Sequence, residues 1–296
     1  MLMISTSALL NLNSIFSLMI PIYFAEKNLK VIETVVNTEL CKLYNWLTFN
    51  KLTLNISKSN FVIFHPKQKK PNYKPKICLF DNEKNEYATL ESEEHIKYLG
   101  ILIDKNLTWK LHINAVSLKI SKTVSLLAKL RHFVPRQFIL KIYESLIYPY
   151  ITNELAAWCQ AAKTHINKIL LLQKRALRII NFSDRRDHAI PLFIDANVLP
   201  LNFLYYQTIS NLMHDVHNNM VPSCILNLFE TTSSCHYYNT RASASGNFYV
   251  NSSDLELYKL SLIALGLRCE MRYPITSDNF PRISSKKHSA NYFLIF

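Results

Sequence analysis

The stretch Trp46–Phe64, WLTFNKLTLNISKSNFVIF, is followed after a basic loop by Ile96–Ile113, IKYLGILIDKNLTWKLHI. Read for periodicity, the first stretch is the end of a helix, a turn at Asn50, a strand and a second strand. Leu52, Leu54 and Ile56 alternate as strand residues do, and Phe61 to Phe64 is a run of apolar β-formers suited to an inner strand. The second stretch reads as a buried strand from Ile96 to Ile103 followed by a new helix, with Thr108 as its N-cap.

Working outward, Ile32, Val35, Val36, Leu40, Leu43, Tyr44 and Leu47 recur at three and four, which predicts an amphipathic helix ahead of the first strand. The linking segment His65–Lys76, HPKQKKPNYKPK, holds three prolines and five lysines and is expected to be an exposed loop. Residues 77–80 and 87–90 are expected to pair as a hairpin around DNEKNE. Beyond Asp104 the period changes from two to 3.6. Helices are predicted at 113–130, at Arg136–Tyr148 ending at Pro149, over 152–161, at His165–Ile180, and at 188–197 and 201–217. After about Cys224 the composition turns to Ser, Thr, Asn and Tyr and the periodicity fades.

This organisation predicts an α+β fold: an apolar leader over 1–25, a mixed α/β region over 26–108, a helical domain over 109–220 and an irregular tail over 221–296. The leader carries no basic n-region, and Asn11, Asn13 and Pro21 interrupt its apolar run, so neither a signal peptide nor a membrane span is expected.

Composition narrows the function. The 296 residues are 49% hydrophobic and 19% charged, enough for one large core or two smaller ones. Three glycines are too few for the phosphate-cradling loops of dinucleotide or P-loop folds. The six cysteines, Cys41, Cys78, Cys159, Cys224, Cys235 and Cys269, include no CxxC pair and suit a reduced, intracellular chain. Cys224 and Cys235, with His217 and His236, lack the spacing of a zinc site, and no metal site is expected. The formal charge is +13, and it is uneven. Residues 111–190 hold thirteen Lys and Arg against four Asp and Glu, whereas residues 81–110 hold four against seven. A local basic surface of this kind favours polyanions through long-range attraction and counterion release.

Several of these segments resemble the reverse transcriptases of non-LTR retrotransposons of the jockey type. WLTFNKLTLNISKSNFVIF is similar to the family's WfxxNKLxLNxxKTxxxxF segment, and IKYLGILIDKNLTWKLHI to its vKFLGvxlDxxLxWxxHI segment. The resemblance continues through KISKTVSLLAKLR (119–131), IYESLIYPYITNELAAW (142–158) and LLQKRALRIINFSDRRDHAIPLF (171–193), with a weaker echo in YYNTR (237–241). It covers about residues 30–240, in order. It implies the end of a polymerase palm followed by a thumb that holds a primer–template duplex by its backbone.

The same resemblance sets an expectation about catalysis. Polymerases of the family need an Asp upstream and an adjacent Asp pair in the FADD hairpin, which together hold two Mg²⁺ ions. This chain has no Asp before Asp81, and where the hairpin would fall, FSLMIPIYFAEKNLK, only Glu26 is acidic. No catalytic residue, metal or other cofactor is therefore assigned, and Mg²⁺ belongs only to an intact polymerase of the family. The tail departs from the family too: ALGLRCEMRYP stands where a GPxxWNxLP-like element is usual. Three readings stay open: an inactive remnant that keeps nucleic-acid binding, part of an active polymerase whose catalytic region is encoded upstream, or a domesticated protein-interaction module. The expected partners are RNA or an RNA–DNA duplex, a missing polymerase half, or another protein.

Lys51 and Lys58, flanking LTLNIS, are candidate backbone contacts beside the palm floor. Lys97 and Gly100 flank the KYLG element, where a glycine lets a duplex approach closely. The main candidate surface is Lys168, Lys174, Arg175, Arg178, Arg185 and Arg186, with contacts that position a duplex without reading its sequence. Trp46, Trp109, His112 and Trp158 are assigned structural roles, with Trp46 and Trp158 in the core and His112 capping or packing. Asp184 to Asp187 are expected to form local ion pairs or caps.

Overall fold

The computed structural model describes residues 2–10, 17–24, 29–68, 70–81, 86–227 and 229. They form an α+β chain that divides into two compact units between His112 and Ile113. Among the described residues no helix is long and apolar enough to cross a membrane.

In the first unit, β1 (Leu2–Leu10) and β2 (Ser17–Phe24) pair antiparallel, and β1 also pairs with β3 (Leu52–Ile63). Most of the apolar leader is thus strand. A short β6 (Glu91–Ser92) adds to β3 in parallel, giving the order β2-β1-β3-β6. Helix α1 (Leu29–Phe49) buries Ile32, Val36 and Leu40 against Phe61 and Ile63 of β3 and against Ile77, Leu79 and Leu90. Each such side chain contributes about 2 kcal/mol by leaving water. Asn37 ties the helix to the next strand: its Oδ1 accepts the Cys78 N–H at 3.0 Å and its Nδ2 donates to the Lys76 carbonyl at 3.0 Å. β4 (Cys78–Asp81) and β5 (Glu86–Thr89) form the expected antiparallel hairpin.

Three details differ from the sequence reading. The two strands expected between Leu52 and Phe64 are one strand with a wide bulge. Asn60 and Asn55 pair with Ser5 and Ser7, so the residues between them loop out of the ladder. Asn55 closes that loop, its Oδ1 accepting the Lys58 N–H at 3.2 Å and its carbonyl accepting the Ser59 hydroxyl at 2.8 Å.

The single strand expected over Ile96–Ile103 is a tight hairpin, β7 (His95–Tyr98) and β8 (Ile101–Asp104). Leu99 and Gly100 both take positive φ, 45° and 88°, the two-residue turn whose twist matches paired strands. Ile96, with Tyr98 and Ile103, packs on Val62, the face of β3 opposite to Phe61 and Ile63.

Trp46, expected in the core, is 53% exposed. It neighbours the buried Leu47 in sequence, but one residue turns a helix by about 100°, which carries Trp46 off the buried stripe.

In the second unit the helices follow the predicted order: those expected at 113 and 165 begin earlier, at Lys110 and Lys163, that over 201–217 has the expected bounds, and those expected over 136–148, 152–161 and 188–197 are shorter. Helix α2 (Lys110–Leu130) buries Ile113, Val116, Ile120, Val124 and Leu127. Helix α3 (Arg136–Leu146) ends before Pro149, which sits in the first turn of α4 (Tyr148–Thr152), where its missing N–H costs nothing. After α5 (Leu155–Trp158), helix α6 (Lys163–Ile180) contacts α3, α7 (Ala189–Asp195) and α8 (Leu201–His217); α9 (Ser223–Leu226) follows. The tail beyond residue 229, with YYNTR and the ALGLRCEMRYP segment, lies outside the described residues, as do residues 25–28, which include Glu26.

Gln173 organises this unit. It is fully buried in the middle of α6 and donates from Nε2 to the Tyr143 hydroxyl (3.0 Å) and the Leu199 carbonyl (2.9 Å). Its Oε1 accepts the Leu201 N–H at 2.9 Å, satisfying one of the unpaired amides that open α8. Trp158 is fully buried, and its indole N–H donates to the Asn153 carbonyl at 2.8 Å. Arg136, at the start of α3, donates from Nε to Asn181 Oδ1 at 2.7 Å and pairs through Nη2 with Asp195.

Candidate nucleic-acid interface

Helix α6 sorts its side chains by the 3.6-residue period. Ile166, Ile169, Gln173, Ala176, Leu177 and Ile180 are buried. Lys168, Leu171 and Arg175 fall on the opposite side at spacings of three and four, and all three are exposed. Lys168 donates from Nζ to Asn114 Oδ1 at 3.3 Å. Lys174 and Arg178 lie at the margins, half-buried, where long side chains lay their stems on apolar surface and present the charge to water.

The helix ends in a Schellman motif. The Phe182 N–H donates to the Ile179 carbonyl (3.4 Å), the Ser183 N–H donates to the Arg178 carbonyl (3.0 Å), and Phe182 takes a left-handed φ of 53°. The loop that follows is held from within. Arg178 donates from Nε (3.2 Å) and Nη2 (2.9 Å) to the Asp187 carbonyl. The Asp187 carboxylate accepts the Asp184 N–H at 2.7 Å, and the Asp187 N–H donates to the Asp184 carbonyl at 3.2 Å. Arg185 and Arg186 project from this closed turn, exposed. The cap between Asp184 and Asp187 is present; among the described residues no ion pair joins these acids to Arg185 or Arg186. The same holds for Lys174 and Arg175, leaving cations available to phosphate.

One helix and its C-terminal loop therefore gather six of the ten candidate residues. The other four occupy three separate local structures of the first unit. Lys51 is exposed at the α1–β3 turn with φ 56°, Lys58 is exposed on the bulge of β3, and Lys97 and Gly100 lie on the β7–β8 hairpin. That hairpin is braced by Lys105 and Glu94, whose ion pair holds the Glu94 carboxyl below its usual range.

Asp104 is the residue that pattern reading missed. Thr108, expected to cap α2, accepts the Lys110 N–H only at 3.5 Å. The firmer anchor is the buried Asp104 carboxylate, which accepts the Thr108 N–H (3.0 Å), the Thr108 hydroxyl (2.8 Å) and the Trp109 N–H (2.8 Å). It holds Trp109 half-buried at φ 60°. His112 is buried, its Nδ1 accepting the Leu102 N–H at 3.4 Å. An Asp four residues ahead of a Thr-Trp helix start was the available signal. Among the described residues no three His, Cys, Asp or Glu side chains converge as metal ligands.

Fold and surface together define an α+β chain with a basic helical face. Its relatives are specific. The RNA-directed DNA polymerase from mobile element jockey of Drosophila funebris is 33% identical over 98 residues, 32% of this chain and 11% of that protein. The jockey polymerase of Drosophila melanogaster is 34% identical over 90 residues, 29% of this chain and 10% of that protein. A probable RNA-directed DNA polymerase from transposon X-element of Drosophila melanogaster is 27% identical over 139 residues, 46% of this chain and 14% of that protein. The chain is thus similar to reverse transcriptases of non-LTR retrotransposons, and the matches span only 10% to 14% of the relatives' lengths. No family model matches the chain, and no solved structure matches it.

Proposed function

We propose that this chain is a palm-end and thumb-like part of a retrotransposon reverse transcriptase that grips an RNA–DNA primer–template by its backbone and does not polymerise by itself. The observation that carries this reading is the outer face of α6 with its loop, where Lys168, Arg175, Arg185 and Arg186 are exposed on a helix packed by its opposite side. Cations on a rigid helix suit phosphate contacts that fix orientation without reading bases. The sequence supports the inactive reading: residues 1–80 hold three Glu and no Asp, a sparse carboxylate set for a two-metal site of the family's type. The test is anisotropy of a labelled RNA–DNA primer–template over a salt series, with primer extension followed in the same samples containing Mg²⁺ and deoxynucleotides. Salt-sensitive binding without extension is the expected result.

A second reading is favoured by the outer side of α1, where Val31 (43%), Val35 (45%), Trp46 (53%) and Phe49 (88%) are exposed. The relatives are far longer than the stretches matched here, so the occupant we assign to this apolar side is a polymerase portion like theirs. Mixing the chain with the catalytic portion of a jockey-type polymerase should then give a complex on gel filtration that Val35→Glu abolishes.

A further inference from the structure

The left-handed position after α6 holds a residue that the fold itself does not call for. Glycine is the usual occupant of that slot, because it alone takes positive φ without a steric cost. Here it is Phe182, at φ 53° and with 57% of its surface exposed. A bulky aromatic in a strained and solvent-facing position does little for the core, and strain of this sort gathers at functional sites.

Its surroundings are cationic and come from elsewhere in the chain. The Arg131 guanidinium, one residue past α2, lies 4.8 Å from the centre of the ring. The His132 ring meets it edge-on at 5.8 Å and 77°, and Arg131 Nε donates to His132 Nε2 at 3.2 Å. Arg185 and Arg186 follow three and four residues later on the loop pinned by Arg178. Among the described residues none of these cations is in an ion pair. An exposed ring beside the unneutralised Arg131 guanidinium, with two more arginines on the loop that follows, matches what single-stranded nucleic acid requires: a π-face for a base and charge for the phosphates beside it.

We propose that Phe182, framed by Arg131 and His132, is a stacking platform for an unpaired base of single-stranded nucleic acid, with Arg185 and Arg186 receiving the neighbouring phosphates. This rests on the nucleic-acid reading of the α6 surface and adds a second mode, in which a strand leaving the duplex is caught at the C-terminal end of the same helix.

The test uses the full chain with single-stranded RNA and single-stranded DNA of one sequence, each carrying 2-aminopurine, and a blunt RNA–DNA duplex as the parallel probe. Phe182→Gly suits the left-handed slot, so folding is expected to be retained, and it removes the ring. Phe182→Leu keeps apolar bulk without a π-face, and Phe182→Trp restores one. Wild type and Phe182→Trp should quench 2-aminopurine on binding. Phe182→Gly and Phe182→Leu should lose the quench and weaken single-strand binding about tenfold, as expected for one lost stacking contact, with duplex affinity unchanged. Single strands bound equally by all four proteins would overturn the platform and leave the duplex reading standing. Duplex binding absent in every protein, with a ring-dependent quench retained, would overturn the duplex reading alone. Preference between the RNA and DNA arms identifies which strand is caught.

Discussion

Arg178 and Asp187 are joined by two hydrogen bonds, from Nε and Nη2 of the guanidinium to a single backbone carbonyl nine residues on. An arginine expected to be a phosphate contact is, in the fold, the pin that closes the loop bearing Arg185 and Arg186. Arg178→Lys keeps the charge and gives up the planar double donation. Stability should fall by about 1 kcal/mol, below the usual range of about 1.5–3 kcal/mol for hydrogen bonds to a charged group because the site is partly solvated. Duplex affinity should weaken severalfold as the loop loosens. Urea titration and anisotropy measure the two effects, and an unchanged affinity would return Arg178 to a purely structural role.

Gln173 presents a sharper case. Gln173→Leu puts an apolar side chain of similar size in its place and leaves the buried Leu201 N–H and Tyr143 hydroxyl and the half-buried Leu199 carbonyl without this partner. Each buried polar group left unpaired costs about 1–3 kcal/mol, so a total loss of about 3 kcal/mol or more is expected. A change in urea midpoint equivalent to less than about 0.5 kcal/mol, the ordinary surface-substitution range, would show that water takes over these bonds.

Asp104 should behave as the keystone of the β8–α2 corner. Asp104→Ala removes the acceptor of three hydrogen bonds and should cost about 2–3 kcal/mol. Asp104→Asn, with one acceptor oxygen remaining, should lie between. Near-UV circular dichroism reports the loss of the fixed Trp109 environment, and an unaltered aromatic signal in Asp104→Ala would contradict the assignment.

Alkali should unfold the helical unit early. Burial pushes the Cys159 thiol up to about 12 and the Tyr143 phenol well above its usual range. Both groups hold their protons more tightly folded than unfolded. Their contribution is therefore fully present below the unfolded pKa values, near 8.5 for Cys and 10 for Tyr, and is lost as pH rises towards the folded ones. Cys159 should therefore remove up to about 1.4 kcal/mol per pH unit above about pH 9, and Tyr143 should add to the slope only above about pH 10. Urea midpoints between pH 8 and 10.5 measure the slope, and Cys159→Ala should flatten its first part.

Much of this architecture was legible because helix and strand periods are strong signals. The apolar spacing from Ile32 to Leu47 located α1, and that of 166–180 located both the buried and the basic sides of α6. What escaped was set by backbone conformation and by contacts distant in sequence. The KYLG segment alternates like a strand, and only the paired positive φ angles of Leu99 and Gly100 fold it into a hairpin. The bulge of β3 depends on how β1 pairs with it. Trp46 has core chemistry, yet it sits one position away from the buried stripe. Phe182 carried no motif, since its character comes from Arg131 and His132, about fifty residues earlier in the chain.

The central claim is a backbone grip by the α6 surface, and the most direct measurement is the salt dependence of RNA–DNA duplex binding for wild type and Arg175→Ala on two unrelated sequences. Arg175 is exposed and in no ion pair among the described residues, so its removal disturbs charge rather than packing. The account predicts equal weakening on both sequences and a slope of log affinity against log salt that is shallower by about 1, the signature of one lost phosphate contact. An identical slope in the two proteins, or no duplex binding at low salt, would contradict it.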